Sequence, residues 1–257
     1  MPQTLQIEKK SNYTIVTLHR PEAQNALNDT MLAELKDAIH NLGKDGSTRL
    51  VLFTGTGTKS FCAGADITAM KDFRMEQAET FARLGHETMN AIAASDLISV
   101  AAINGYALGG GLELALACDF RVCSRNAMMA LPEVGLGIIP GFGGTQRLPR
   151  IVGKGNAMEM ILVGGMIDSE RALRTGLVNH VFELEALLPS TEQLIEKMLA
   201  FRGPGAQKTA RWVVSSGLDL PLSAGLEREI NAFAELFSGK EPHEGCSAFL
   251  EKRKPQF

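Results

Sequence analysis

The stretch from Ile98 to Cys123 leaves few folds open to this chain. It begins with an apolar run of strand length, Ile98-Ser99-Val100-Ala101-Ala102-Ile103, closed by Asn104-Gly105. It then passes through Gly109-Gly110-Gly111 into Leu112-Glu113-Leu114-Ala115-Leu116-Ala117 and returns as a second strand, Phe120 to Cys123. A helix over the middle segment is apolar almost all round, so it must be buried. Strand, buried helix and strand in succession predict an α/β core with crossover connections.

The flanking chain extends that pattern. Leu5 to Lys9 and Tyr13 to Leu18 read as strands split by a turn at Ser11-Asn12. Asn28 is placed to cap a helix over Asp29 to Leu42, where Met31, Leu35, Ala38, Ile39 and Leu42 recur at helical spacing and Gly43 is placed to end it. Leu50 to Thr54 reads as a buried strand and Asp72 to Ala94 as an amphipathic helix. From about Thr191 the pattern is helical only, with breaks at Gly203-Pro204-Gly205 and Gly217 to Pro221. These boundaries predict an α/β core over residues 1–190 and a helical region over 191–257, without a visible sequence repeat. A chain of 257 residues, 45% of them hydrophobic, can bury such a core.

Composition removes several function classes. A net charge of -3 with both signs scattered gives no broad basic surface for nucleic acid. The beginning, Met1-Pro2-Gln3-Thr4-Leu5, turns polar at Glu8, Lys9 and Lys10, and no run approaches a membrane span, so neither a signal peptide nor a membrane partner is expected. Cys62, Cys118, Cys123 and Cys246 form no CxxC pair, which predicts free thiols in a reducing, cytoplasmic setting. Gly55 to Ser60 lacks the glycine before lysine that a phosphate loop needs. Neither a GxSxG elbow nor a GxGxxG between first strand and helix occurs, and the five histidines are too scattered to bind metal.

Two carboxylates stand out against this background. Glu113 shares a helix face with Gly110, Leu114 and Ala117, so burial must give it partners or raise its pKa. The three glycines before it let a ligand approach backbone N–H groups at a helix start. Glu133 is the only charged residue between Arg125 and Arg147, in a segment too apolar for an exposed loop. Each alone also reads as a structural carboxylate capping backbone. Together they suit acid and base work in a dry cleft. A third loop, Lys59 to Ile67, follows the Leu50 strand where α/β folds place ligands, and reads equally as a tight turn with Asp66 as an N-cap.

The motifs in order are Arg20-Pro21-Glu22-Ala23-Gln24-Asn25-Ala26-Leu27, Phe61-Cys62-Ala63-Gly64-Ala65-Asp66-Ile67, Asn104 to Leu114, Pro132 to Gly137 and Pro140 to Leu148. Over essentially the whole chain they resemble the crotonase, or enoyl-CoA hydratase/isomerase, family. The resemblance implies a crotonase-like spiral of repeated ββα units, with the C-terminal helical region assembling trimers or hexamers. It implies catalysis by Glu113 and Glu133, and an oxyanion hole from the backbone N–H groups of Ala65 and Gly110. Coenzyme A and substrate contacts would come from Lys59, Ala63, Asp66, Ile67, Met70 and Phe142, and from Lys252 or Lys254 of a neighbouring subunit. The partner is then an acyl-CoA thioester, with no metal and no separate cofactor, coenzyme A being part of the substrate. Both glutamates match the hydratase branch acting on short-chain trans-2-enoyl-CoA. A double-bond isomerase or another lyase on the same scaffold is the near alternative, and a non-catalytic acyl-CoA- or RNA-binding protein the distant one. For RNA, the Asp29 to Leu42 helix offers only Lys36.

Overall fold

The computed structural model describes residues 2–257, apart from the side chain of Ala69; Met1, where the amino-terminal reading begins, lies outside the described residues. The elements run β1 (Leu5–Lys9), β2 (Tyr13–Leu18), α1 (Asp29–Asp45), β3 (Leu50–Gly55), β4 (Ser60–Cys62), α2 (Ile67–Met70), α3 (Met75–Ala94), β5 (Ile98–Ile103), β6 (Tyr106–Leu108) and α4 (Gly110–Ala117). They continue with β7 (Phe120–Ser124), β8 (Met128–Ala130), α5 (Gly144–Val163), β9 (Ile167–Asp168), α6 (Ser169–Arg174), β10 (His180–Phe182), α7 (Leu187–Leu199), α8 (Pro204–Gly217), α9 (Leu222–Leu236) and α10 (Glu241–Leu250). The chain divides into two compact units, the second being Gln193–Phe257.

The first unit holds two sheets, ordered β1-β2-β3-β5-β7-β10 and β4-β6-β8-β9. Among the described residues, only β1 with β2 and β8 with β9 pair antiparallel. Each of three successive segments, β3-β4, β5-β6 and β7-β8, gives one strand to each sheet before a helix follows. The chain therefore advances one place along both sheets per ββα unit, and that advance is the spiral.

Local sequence explains the main elements. β3 and β5 are buried along their whole length, as strands covered on both faces must be. Asn28 accepts the Met31 N–H at 2.9 Å and caps α1, whose Met31, Leu32, Leu35, Ile39 and Leu42 are buried. The helix does not stop at Gly43: it runs to Asp45 and ends at Gly46 in the left-handed region at φ 71°. Gly43 adopts helical backbone, and the glycine with positive φ is the one that terminates the helix. Likewise α3 begins at Met75 rather than Asp72, because the short helix α2, capped by Asp66, comes first. All eight residues of α4 are buried. No helix among the described residues is long and apolar enough to cross a membrane.

The second unit is helical. Glu241 accepts the N–H groups of Gly205 at 2.9 Å and Ala206 at 3.0 Å, closing the start of α8. Arg228 stacks over Trp212, with 5.2 Å from guanidinium to ring centre. Lys252 is exposed, in the left-handed region at φ 56°.

Candidate active site

Gly109 turns the chain from β6 into α4 with φ 49°, a conformation that favours glycine. A Cβ there would stand 2.7 Å from Glu133 Oε1, so the glycine also lets that carboxylate lie against the backbone. One position on, a Cβ at Gly110 would fall 3.3 Å from the Ala65 nitrogen and 3.1 Å from the Phe142 ring. The Ala65 and Gly110 amides are thus neighbours, one in the loop after β4 and the other at the start of α4.

These residues line a cavity of about 680 Å³ in the first unit. Ala63, Ala65, Gly110, Glu113 and Glu133 line it together with the apolar side chains of Met70, Phe73, Phe81 and Phe142. Phe81 meets Phe73 and Phe142 edge to face, with centroids 5.7 and 5.3 Å apart. Phe142 occupies space that α3 leaves at Gly85, where a Cβ would lie 2.0 Å from the ring.

The two glutamates converge as the sequence reading expects, and their environments differ. Glu113 is 2% exposed, and its Oε1 accepts the N–H groups of Phe142 at 2.8 Å and Gly144 at 2.7 Å. Burial pushes its pKa above the ordinary carboxylate value, while those amides and the Arg147 cation pull against the rise. Glu133 sits in the 3-10 turn Glu133–Leu136, and its buried Oε2 has no hydrogen-bond partner among the described residues. Burial, and then the charge of Glu113, raise the Glu133 pKa to about 7. The Cys62 thiol, pushed up to about 12 by burial, is no nucleophile at neutral pH.

The residues expected to contact coenzyme A and substrate fall in different places. Ala63, Ile67, Met70 and Phe142 line the cavity. Lys59 is exposed and outside that lining. The Asp66 carboxylate accepts from Arg20 at 3.0 Å and from the Thr68 N–H at 3.2 Å, so it braces its own loop. Sequence reasoning missed Arg147, which bonds the Phe142 carbonyl at 3.0 Å, and the specific wall residues Phe73 and Phe81. The signal for the wall was Gly85, a costly glycine in the middle of an amphipathic helix.

Fold and cavity define a class: stacked ββα units whose cleft places two buried carboxylates beside adjacent backbone amides. Comparison with known proteins gives that class its family. The enoyl-CoA hydratase/isomerase family model matches residues 8–257. A crotonyl-CoA hydratase of Syntrophomonas wolfei is 41% identical, covering 98% of this chain and 96% of that protein. A short-chain-enoyl-CoA hydratase of Clostridium acetobutylicum is 40% identical, with 96% and 95% covered. The crystal structure of an enoyl-CoA hydratase from Bacillus anthracis superposes with a TM-score of 0.95 at 37% identity, covering 99% of each chain. The chain belongs to the enoyl-CoA hydratase/isomerase family, and its fold is crotonase-like.

Proposed function

We propose that the chain is an enoyl-CoA hydratase that adds water syn across the 2,3-double bond of a short-chain trans-2-enoyl-CoA, giving the 3-hydroxyacyl-CoA, and reverses that reaction. The unequal treatment of two carboxylates in one cleft carries the reading. Glu113, held by two amides near a guanidinium, is equipped to bear charge and take a proton from the water that attacks the β-carbon. Glu133, with an unpartnered buried oxygen and a pKa of about 7, is equipped to give a proton to the α-carbon. The Ala65 and Gly110 amides hold the thioester oxygen as it becomes an enolate, each donor contributing about 3 kcal/mol. The names of the two hydratase relatives and the aromatic wall support a short acyl group.

Lys59, Ala63, Ile67 and the backbone of Asp66 are assigned to coenzyme A, because they lie at or beside the cleft loop, and an exposed cation of a neighbouring subunit, Lys252 or Lys254, is assigned with them. No cofactor is needed, since the named groups cover both proton transfers and the enolate charge; dialysis against a chelator is expected to leave the rate unchanged. Self-association as a trimer or hexamer is supported by Leu226, Ile230, Phe233 and Phe237, a helical-spaced apolar row exposed on the second unit. Soluble placement in the cytoplasm follows the same reading.

Loss of the conjugated enoyl absorbance of crotonyl-CoA measures the reaction. Glu113→Gln and Glu133→Gln should each lower turnover by about 10²- to 10⁴-fold while thioester binding persists. Full activity in both variants defeats the assignment. A rise in absorbance from a non-conjugated enoyl-CoA, without hydration, makes the protein an isomerase instead.

A further inference from the structure

The geometry points to Arg147 as a positioning residue for Glu113: its guanidinium clasps the loop over residues 140–144 against α3 and keeps the Phe142 and Gly144 amides aimed at the carboxylate. Arg147 does not line the cavity, so it acts through the loop and not on substrate. One arm donates to the Phe142 carbonyl at 3.0 Å and the other to Asn90 Oδ1 on α3 at 2.7 Å. The residue between the two amide donors, Gly143, has φ 111°, and a Cβ on it would lie 2.2 Å from Arg147 Nη1. The loop is thus shaped around the guanidinium on one side while its amides face Glu113 on the other.

A planar fork holding two acceptors fixes the loop in a way an ammonium does not. The charge matters as well, because Arg147 favours the ionised form of Glu113 against burial. Other groups facing this assembly are Glu133 from its turn, Cys118 at the end of α4, and His86 on α3, whose Cε1 lies 3.8 Å from a Cβ built on Gly143.

The inference rests on the hydratase reading, so crotonyl-CoA hydration is followed across pH in the full chain and its variants. Arg147→Met should lower kcat about tenfold with KM held within about threefold. Its acid limb, where Glu113 loses its charge, should move up by about one pH unit while the alkaline limb stays. Arg147→Lys should restore the acid limb but not kcat, and Asn90→Ala, from an exposed position, should cost a few-fold in kcat with neither limb moved. Unchanged kcat and acid limb in Arg147→Met overturn the inference. Equal losses in Met and Lys variants without a limb shift also overturn it, since they mark a purely structural residue. Should Arg147→Met not fold, wild-type kcat in both Arg147→Lys and Asn90→Ala overturns it. An unsubstituted protein inert toward crotonyl-CoA removes the hydratase reading, whereas an active protein with indifferent Arg147 variants removes only this one.

Discussion

Glu113 and Glu133 carry the same functional group, yet two backbone N–H groups meet one and none of the described groups meets Oε2 of the other. With its pKa raised to about 7 by burial, Glu133 is protonated in the acid range and loses the proton through neutrality. A proton donor of that kind predicts that kcat/KM for hydration falls on the alkaline side with an apparent pKa of about 7 in the free enzyme, read from a rate profile. The same shift bears on stability. Because the folded-state pKa lies above the unfolded one, the stabilising contribution is complete below the unfolded value and is lost as pH rises through about 7. Glu133→Gln should therefore melt about 3 °C higher than the wild type at alkaline pH, with the difference vanishing in acid; a pH-independent difference would contradict this. Gly109→Ala should do the opposite, destabilising by about 1–3 kcal/mol and lowering turnover, because it adds strain at φ 49° and a Cβ against Glu133. Both carboxylates were legible in the sequence because each is a charge in an apolar setting. Arg147 was not, because a cation at the edge of such a setting reads as ordinary surface until its acceptors are known.

At the scale of single elements, length together with an unbroken apolar pattern decided what the sequence could reveal: α5 has twenty residues but carries Pro149 and non-helical backbone at Gly153, φ 78°, and was not read from the sequence. β5 has six residues, all buried, and α1 has seventeen with a capped start, so both carry a periodic or continuous apolar signal. β4, β6 and β8 have three residues each, too few to establish alternation, and they were read as loops or passed over. Yet these strands bring the Ala65 loop and the start of α4 together: β4 pairs with β6, and β6 with β8. The ends of α1 and α3 were legible to within a turn, the error at α1 arising because two glycines, Gly43 and Gly46, competed for one role. Asn28→Ala should cost about 1 kcal/mol by freeing the Met31 N–H, a drop of about 2–4 °C in Tm by calorimetry. An unchanged Tm would mean that the cap contributes nothing net.

For the molecule as a whole, composition and element order indicated an α/β core, while the spiral came only from family resemblance. Its period is one of topology: the three ββα units differ in helix length and in the inserted α2, so equivalent positions do not recur at a fixed spacing. The exposed row on α9 belongs to the same scale. Ile230→Asp and Phe233→Asp should convert a trimer or hexamer into smaller species by light scattering, and a wild type that is monomeric at micromolar concentration would sink the proposal of self-association. The aromatic ladder has one more consequence. Phe73 and Phe81 bound the cleft from the segment before α3 and from α3 itself, while both glutamates stand on other elements. On the proposed reading, selection for a longer acyl tail can work on Phe73, which is one ring removed from Phe142 and its hydrogen bond to Glu113, so preference and chemistry are free to diverge among descendants of one ancestor.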